Sequence, residues 1–147
     1  MSNLLLFFTN TTRQASEILT EQRRNIDSRL KELETLRDMA LSARGLLLNG
    51  SLDEIGRLLH RSWQTKKTLA SKISTPDIDR MYDAAIAAGA LGGKVAGAGA
   101  GGFLLVYCPR ERQNAVREAL SAYRELPFML SRDGSKVILN TRGYEWR

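Results

Sequence analysis

The 147 residues suffice for one compact domain with a real core and are short for two. Apolar residues at 43% and charged residues at 26% describe an ordinary globular chain; no run approaches the length that spans a bilayer, and the single cysteine, Cys108, excludes an internal disulfide or a cysteine metal cluster. A formal charge of +6 suits an anionic partner, be it nucleic acid, a membrane surface or a phosphorylated small molecule, and does not choose among them.

The chain opens on Leu4, Leu5, Leu6, Phe7 and Phe8, a strand-like run closed by the capping residues Thr9, Asn10, Thr11 and Thr12. That run is too short for a signal-peptide core and has no basic residue before it, which points to an intracellular, cytoplasmic protein. From about Gln14, apolar residues including Ile18, Leu19, Ile26, Leu30, Leu33, Leu36 and Leu47 recur mostly at helical intervals, and charged residues such as Glu17, Arg23 and Glu34 occupy other faces. The spacing predicts one long amphipathic helix, bent if anywhere near its end. Asn49-Gly50 supplies a left-handed stop, and Ser51-Leu52-Asp53-Glu54 a capping box for a second helix with Leu52, Ile55, Leu58, Leu59, Trp63 and Leu69 on its apolar stripe. Thr75-Pro76 starts a third helix that runs to about Ala88 and stops at Gly89. Residues 91–102 are then almost wholly Gly, Ala and Val with one lysine, and Phe103-Leu104-Leu105-Val106-Tyr107 is a buried-strand sequence ended by Pro109. Helical spacing returns over residues 113–123. Leu126, Phe128 and Leu130 alternate before the turn pair Asp133-Gly134 and the apolar residues Val137, Ile138 and Leu139, which predicts a closing hairpin. The order implies an α+β domain, residues 1–147, with a mostly antiparallel four-stranded sheet and helices packed on it.

The informative segment is Gly92-Gly93-Lys94-Val95-Ala96-Gly97-Ala98-Gly99-Ala100-Gly101-Gly102. Glycines here permit positive φ angles and close backbone approach, so successive N–H groups can face one concavity, and such a nest attracts phosphate. Gly97, Gly99 and Gly102 match the spacing of the dinucleotide fingerprint, but that motif requires a helix next, and a strand follows. The triphosphatase loop fails as well, because no Gly-Lys-Ser or Gly-Lys-Thr is present in it. On spacing alone, a phosphate loop and a glycine-rich hairpin or bulge packed under the helices stand level.

From Ala90 through Leu104 the string closely resembles the third motif of the GHMP kinases: a lysine, two residues, then Gly-Ala-Gly-x-Gly-Gly before a strand. The opening Leu5-Leu6-Phe7-Phe8-Thr9 with Thr12-Arg13, the segment Leu59-His60-Arg61-Ser62-Trp63 with Lys66-Lys67, and Pro127-Phe128 with Gly134-Ser135-Lys136 look like the heptose 7-phosphate kinases within that class. The resemblance covers nearly the whole chain. It implies a ferredoxin-like C-terminal kinase domain, ATP-dependent phosphoryl transfer to a sugar phosphate, and a role for Lys94, Gly97, Ala98, Gly99, Ala100, Gly101 and Gly102 near the nucleotide phosphates and the acceptor. ATP and Mg are implied for the complete kinase, with neither held tightly by this chain. Ala100 stands where the heptose kinases carry glycine, and Phe103 where other branches carry cysteine or alanine. The Gly-Leu-Gly-Ser-Ser loop and the catalytic aspartate of the family have no counterpart here. The chain by itself is therefore expected to be inactive, its partner being an N-terminal kinase domain or further copies of itself; a non-catalytic binding or regulatory module that kept the fold is the alternative.

Other residues draw plainer readings. His60, the only histidine, has no partner visible in the sequence and reads as an ordinary helix residue. Trp63 and Trp146 read as core or domain contacts and Cys108 as an inert buried thiol. The acids of the long helix read as solvated i,i+4 partners and not as a carboxylate dyad. No metal ligand is expected. Arginines alternate with acids, as in Arg110-Glu111-Arg112, and no aromatic-interleaved sheet or recognition helix appears, so neither nucleic acid nor membrane is an expected partner.

Overall fold

The computed structural model describes residues 3–12 and 15–131. Three strands, β1 (Leu4–Phe8), β2 (Gly92–Val95) and β3 (Phe103–Tyr107), form an antiparallel sheet in the order β1-β3-β2. Leu4 lies opposite Tyr107 and Phe8 opposite Phe103, while Gly92 opposes Tyr107 and Val95 opposes Leu104. Alternation places Leu5 and Phe7 of β1 and Leu104 and Val106 of β3 in the core, as a period of two demands.

Five helices accompany the sheet: α1 (Ala15–Arg24), α2 (Leu30–Leu48), α3 (Leu52–Lys67), α4 (Pro76–Ala87) and α5 (Gln113–Ala119). Helix α3 packs against β2 and α2 packs against α3. The core between helices and sheet is built on Trp63, Ile73, Ile78, Met81, Tyr82, Val95, Leu104 and Leu120, all essentially inaccessible. Among the described residues no helix is long and apolar enough to cross a membrane.

The α+β layout with an antiparallel sheet is as expected, and four details differ. The single long helix of residues 14–47 is two helices, with a 3-10 turn over Asp27–Arg29 between them. Asn25 donates its side-chain amide to the Leu69 carbonyl at 2.9 Å and Ser28 donates its hydroxyl to the Asn25 carbonyl at 3.0 Å; such side chains compete with the helical ladder. The boundary after residue 48 is where the sequence places it, with Gly50 at φ +71°, but Ser51 makes no capping bond and Glu54 pairs with Arg57 instead. Thr75, by contrast, caps α4 as expected by accepting from the Ile78 amide at 3.3 Å.

The third difference is β2, which lies inside the segment read as a glycine loop. Gly-Gly-Lys-Val has little strand character in its side chains, and what makes it a strand is the helix above it. A Cβ at Gly92 would sit 2.0 Å from the Gly56 carbonyl oxygen and 2.6 Å from the His60 nitrogen, so α3 and β2 meet backbone to backbone. Finally, the described residues hold three strands and not four. Residues 126–131 form no strand, and this stretch of chain touches the sheet through a single bridge, Phe7 to Glu125. The Asp133-Gly134 turn and the second arm of the expected hairpin lie outside the described residues.

Candidate functional site

The loop of residues 96–102 joins β2 to β3. Its base is closed by the Ala96 amide donating to the Phe103 carbonyl at 2.8 Å. Within it, Gly97 (φ +82°), Gly99 (+111°), Ala100 (+60°) and Gly102 (+89°) all take left-handed backbone, so the chain reverses hand repeatedly and its amides cannot follow a helical or strand ladder.

Two of those amides fasten the loop to the domain. Ala100 donates to the Ile73 carbonyl at 2.7 Å, and Gly102 donates to the Thr11 carbonyl at 2.8 Å. The Gly102 carbonyl in turn accepts from the Thr9 amide at 2.9 Å and from the Thr9 hydroxyl at 3.1 Å. Thr9 is buried, and these bonds satisfy it. The tether also dictates composition: a Cβ on Gly99 would fall 2.5 Å from the Ile73 oxygen that holds Ala100. The amides of Gly97, Ala98, Gly99 and Gly101 have no protein partner among the described residues. Gly97 is exposed and the other three are half-buried, so four donors are unspent in a loop fastened by its other two.

Two cations stand beside this loop. Lys66, in the last turn of α3, donates to the Gly97 carbonyl at 2.5 Å. Burial, and after it the charge of Lys94, hold the Lys66 ammonium below the usual lysine value. Neither Lys66 nor Lys94 has an acidic partner among the described residues, whereas the neighbouring Lys67 is paired with Asp79 at 3.1 Å. N–H donors and ammonium groups suit phosphate oxygens.

The structure thus brings together all seven residues that the sequence singles out, with Lys94 on β2 and the other six on the loop. Sequence reasoning missed the contact of Lys66 with the loop and the anchoring roles of Thr9, Thr11 and Ile73. Lysine in a final helical turn is commonplace, so no local signal marks Lys66. The plainer readings fare well. His60 Nδ1 lies 2.9 Å from the Tyr82 hydroxyl with the two rings stacked. Trp63 is core, though its buried Nε1 lacks a partner. Burial, with Glu111 adding to it, pushes the Cys108 thiol up. The ion pairs of the α2 acids are not at the expected i,i+4 spacing: Glu32 pairs with Arg29 three residues earlier and Asp38 with the adjacent Arg37. Trp146 lies outside the described residues. A cavity of about 620 Å³ lined by Leu47, Leu52, Asp53 and Tyr107 lies at the other end of β3 and has no part in the loop.

Comparison with known proteins decides the family. The family model described as GHMP kinases C terminal matches residues 43–125, more than half of the chain and inclusive of the whole loop. The chain belongs to the GHMP kinases. D-glycero-alpha-D-manno-heptose 7-phosphate kinase of Campylobacter jejuni is 29% identical over 116 residues, covering 77% of this chain and 34% of that protein. L-fucokinase/L-fucose-1-P guanylyltransferase of Bacteroides fragilis is 33% identical over 117 residues, covering 77% of this chain and 12% of the relative. The solved Streptococcus pneumoniae phosphomevalonate kinase in complex with phosphomevalonate and AMPPNP superposes with a TM-score of 0.69 at 15% identity, over 84% of this chain and 39% of that one. That likeness establishes the GHMP C-terminal fold, helices on an antiparallel sheet. The chain spans well under half of the length of each of these proteins, between 12% and 39%.

Proposed function

We propose that this chain is the C-terminal part of an ATP-dependent sugar kinase acting on a heptose phosphate, with Lys94 and residues 97–102 lining the phosphate end of its site. The observation that carries the reading is the division of labour in the loop: two amides are spent fixing its shape and four have no protein partner, beside two cations without acidic partners among the described residues. Phosphoryl transfer asks a protein chiefly for positioning and for fixed dipoles where charge develops. A loop tethered through Ala100 and Gly102 supplies those dipoles without reorganising.

The likeness to a heptose 7-phosphate kinase supports the acceptor class. ATP, when bound, supplies the phosphoryl group. The donor set described here, amide N–H groups and ammonium groups, fits its phosphates; magnesium, which takes oxygen ligands, would be held mainly by those phosphates and by carboxylates elsewhere in the complete kinase. In this reading the second phosphate loop and the catalytic aspartate belong to an N-terminal domain, supplied in the same chain or by a separate one. Residues 1–147 then form one domain that is inactive alone.

The test is reconstitution. Joined to or mixed with an N-terminal GHMP domain that carries the aspartate, the chain is expected to support ADP release that depends on D-glycero-D-manno-heptose 7-phosphate, and Gly99→Asp is expected to abolish it. Undiminished release by the Gly99→Asp protein would show that the loop is not at the phosphates.

A further inference from the structure

We infer that Lys66 is a second anion-binding residue of this site, so that a phosphate group sits between the ammonium groups of Lys66 and Lys94 on the unspent amides of the loop. The inference rests on the reading of residues 97–102 as a phosphate loop and adds to it a residue from a different element, 31 positions distant from Gly97.

The position of Lys66 is unusual for its place in the fold. A lysine in the last turn of a helix ordinarily turns back to that helix's own final carbonyls or extends into water. Lys66 leaves α3 and reaches across to the loop, where its ammonium donates to the Gly97 carbonyl. There it is half-buried and close enough to Lys94 for the two charges to oppose each other. The contact is open to solvent, so the cost is partly screened, but an ammonium held beside a like charge ordinarily has a carboxylate for its partner. The next residue along α3 shows that arrangement, since Lys67 meets Asp79, which also accepts from the Ser74 hydroxyl at 2.9 Å. Among the described residues Lys66 has only a neutral carbonyl.

An oxyanion at this point changes the sign of the balance. Placed between the two ammonium groups it turns their repulsion into two charge-assisted contacts, and the unspent amides of Gly97, Ala98, Gly99 and Gly101 supply further donors on the same surface. Gly97 links the two halves of the site, because its carbonyl holds Lys66 and its own amide has no partner among the described residues. The ligand chemistry is a phosphate group, either of a nucleotide polyphosphate or of a phosphorylated acceptor.

The experiment uses the 147-residue chain, isotope-labelled, with inorganic pyrophosphate as the probe for a polyphosphate and methyl phosphate as the probe for a monoester. Binding is read from the amide resonances of Gly97, Ala98, Gly99 and Gly101. Lys66→Met and Lys94→Met are each expected to weaken pyrophosphate binding by roughly tenfold to a hundredfold, as loss of one charge-assisted contact implies, while Lys31→Met on the exposed face of α2 controls for net charge. In the unmutated chain the Lys66 Nζ resonance is expected to titrate at higher pH once pyrophosphate is bound, a readout that survives even if the Lys66→Met protein fails to fold. Stronger binding of pyrophosphate than of methyl phosphate would assign the pair to the nucleotide, and equal binding to the acceptor's own phosphate; both support a two-lysine site. If pyrophosphate shifts the loop amides but binds the Lys66→Met protein unchanged, or leaves the Lys66 titration where it was, Lys66 only braces the loop and the inference is overturned while the loop reading stands. If pyrophosphate moves none of the four amides, the loop reading itself fails.

Discussion

Replacing Gly99 by alanine tests the loop's construction at its tightest point. The residue has φ +111°, and its new Cβ would lie 2.5 Å from the Ile73 carbonyl oxygen and 3.0 Å from Ile73 Cγ2. That oxygen is the acceptor for the Ala100 amide, so the loop cannot lift away from the clash without stretching its own 2.7 Å tether. Left-handed backbone in a residue with a Cβ costs about 1–2 kcal/mol, and forcing extra atoms into a packed contact costs about 1–3 kcal/mol. The expected loss is the sum of the two, about 2–5 kcal/mol, which is a large fraction of an ordinary domain's stability. Gly97→Ala is the internal control: φ is +82° but nothing lies within 4 Å of the added carbon, so only the backbone cost of about 1–2 kcal/mol applies. Urea unfolding of both variants, fitted with the slope of the unmutated chain, separates the two contributions. If Gly99→Ala and Gly97→Ala lose stability equally, the Ile73 tether is not what holds the loop.

Two further outcomes follow from single contacts. Glu21 accepts from the Ser71 amide at 2.7 Å and from the Ser71 hydroxyl at 3.1 Å, and these bonds, the backbone one foremost, hold its carboxyl below the ordinary carboxylate value. A pKa lowered in the folded state contributes stability that is fully present above the unfolded-state value and is lost as pH falls through the folded-state value. Urea midpoints are therefore expected to differ between the unmutated chain and Glu21→Gln at neutral pH and to converge in acid; an equal gap at both would contradict the linkage. Cys108 is inaccessible, and burial raises its thiol, so reaction with a thiol reagent is expected to be slow and to accelerate only on unfolding in urea. Rapid labelling of the folded chain would contradict its burial.

What was legible in the sequence was what is local. Gly50, the Thr75-Pro76 pair and Gly89 mark helix ends through their own backbone preferences, and the structure ends or begins helices at each. The apolar runs of β1 and β3 were likewise readable as strands, while the alternate burial of their residues came from the sheet itself. Features decided by distant partners were not. The break between α1 and α2 depends on Asn25 meeting the Leu69 carbonyl, and apolar spacing runs on across it undisturbed. Strand β2 exists because α3 lies against the backbone of Gly92, an instruction carried by Gly56 and His60 far earlier in the chain. The candidate site divides along the same line. Its glycines form a contiguous motif, whereas Lys66 joins them only through the packing of α3 on β2.

The account depends most on which loop amides are free. Hydrogen exchange resolved by residue, with and without pyrophosphate, tests that directly. Without the ligand, the amides of Ala100 and Gly102 are expected to exchange slowly, and those of Gly97, Ala98, Gly99 and Gly101 quickly. Pyrophosphate should slow the fast group and leave the slow pair unchanged. Protection of all six before any ligand is added, or no change in the four when it is, would contradict the phosphate site.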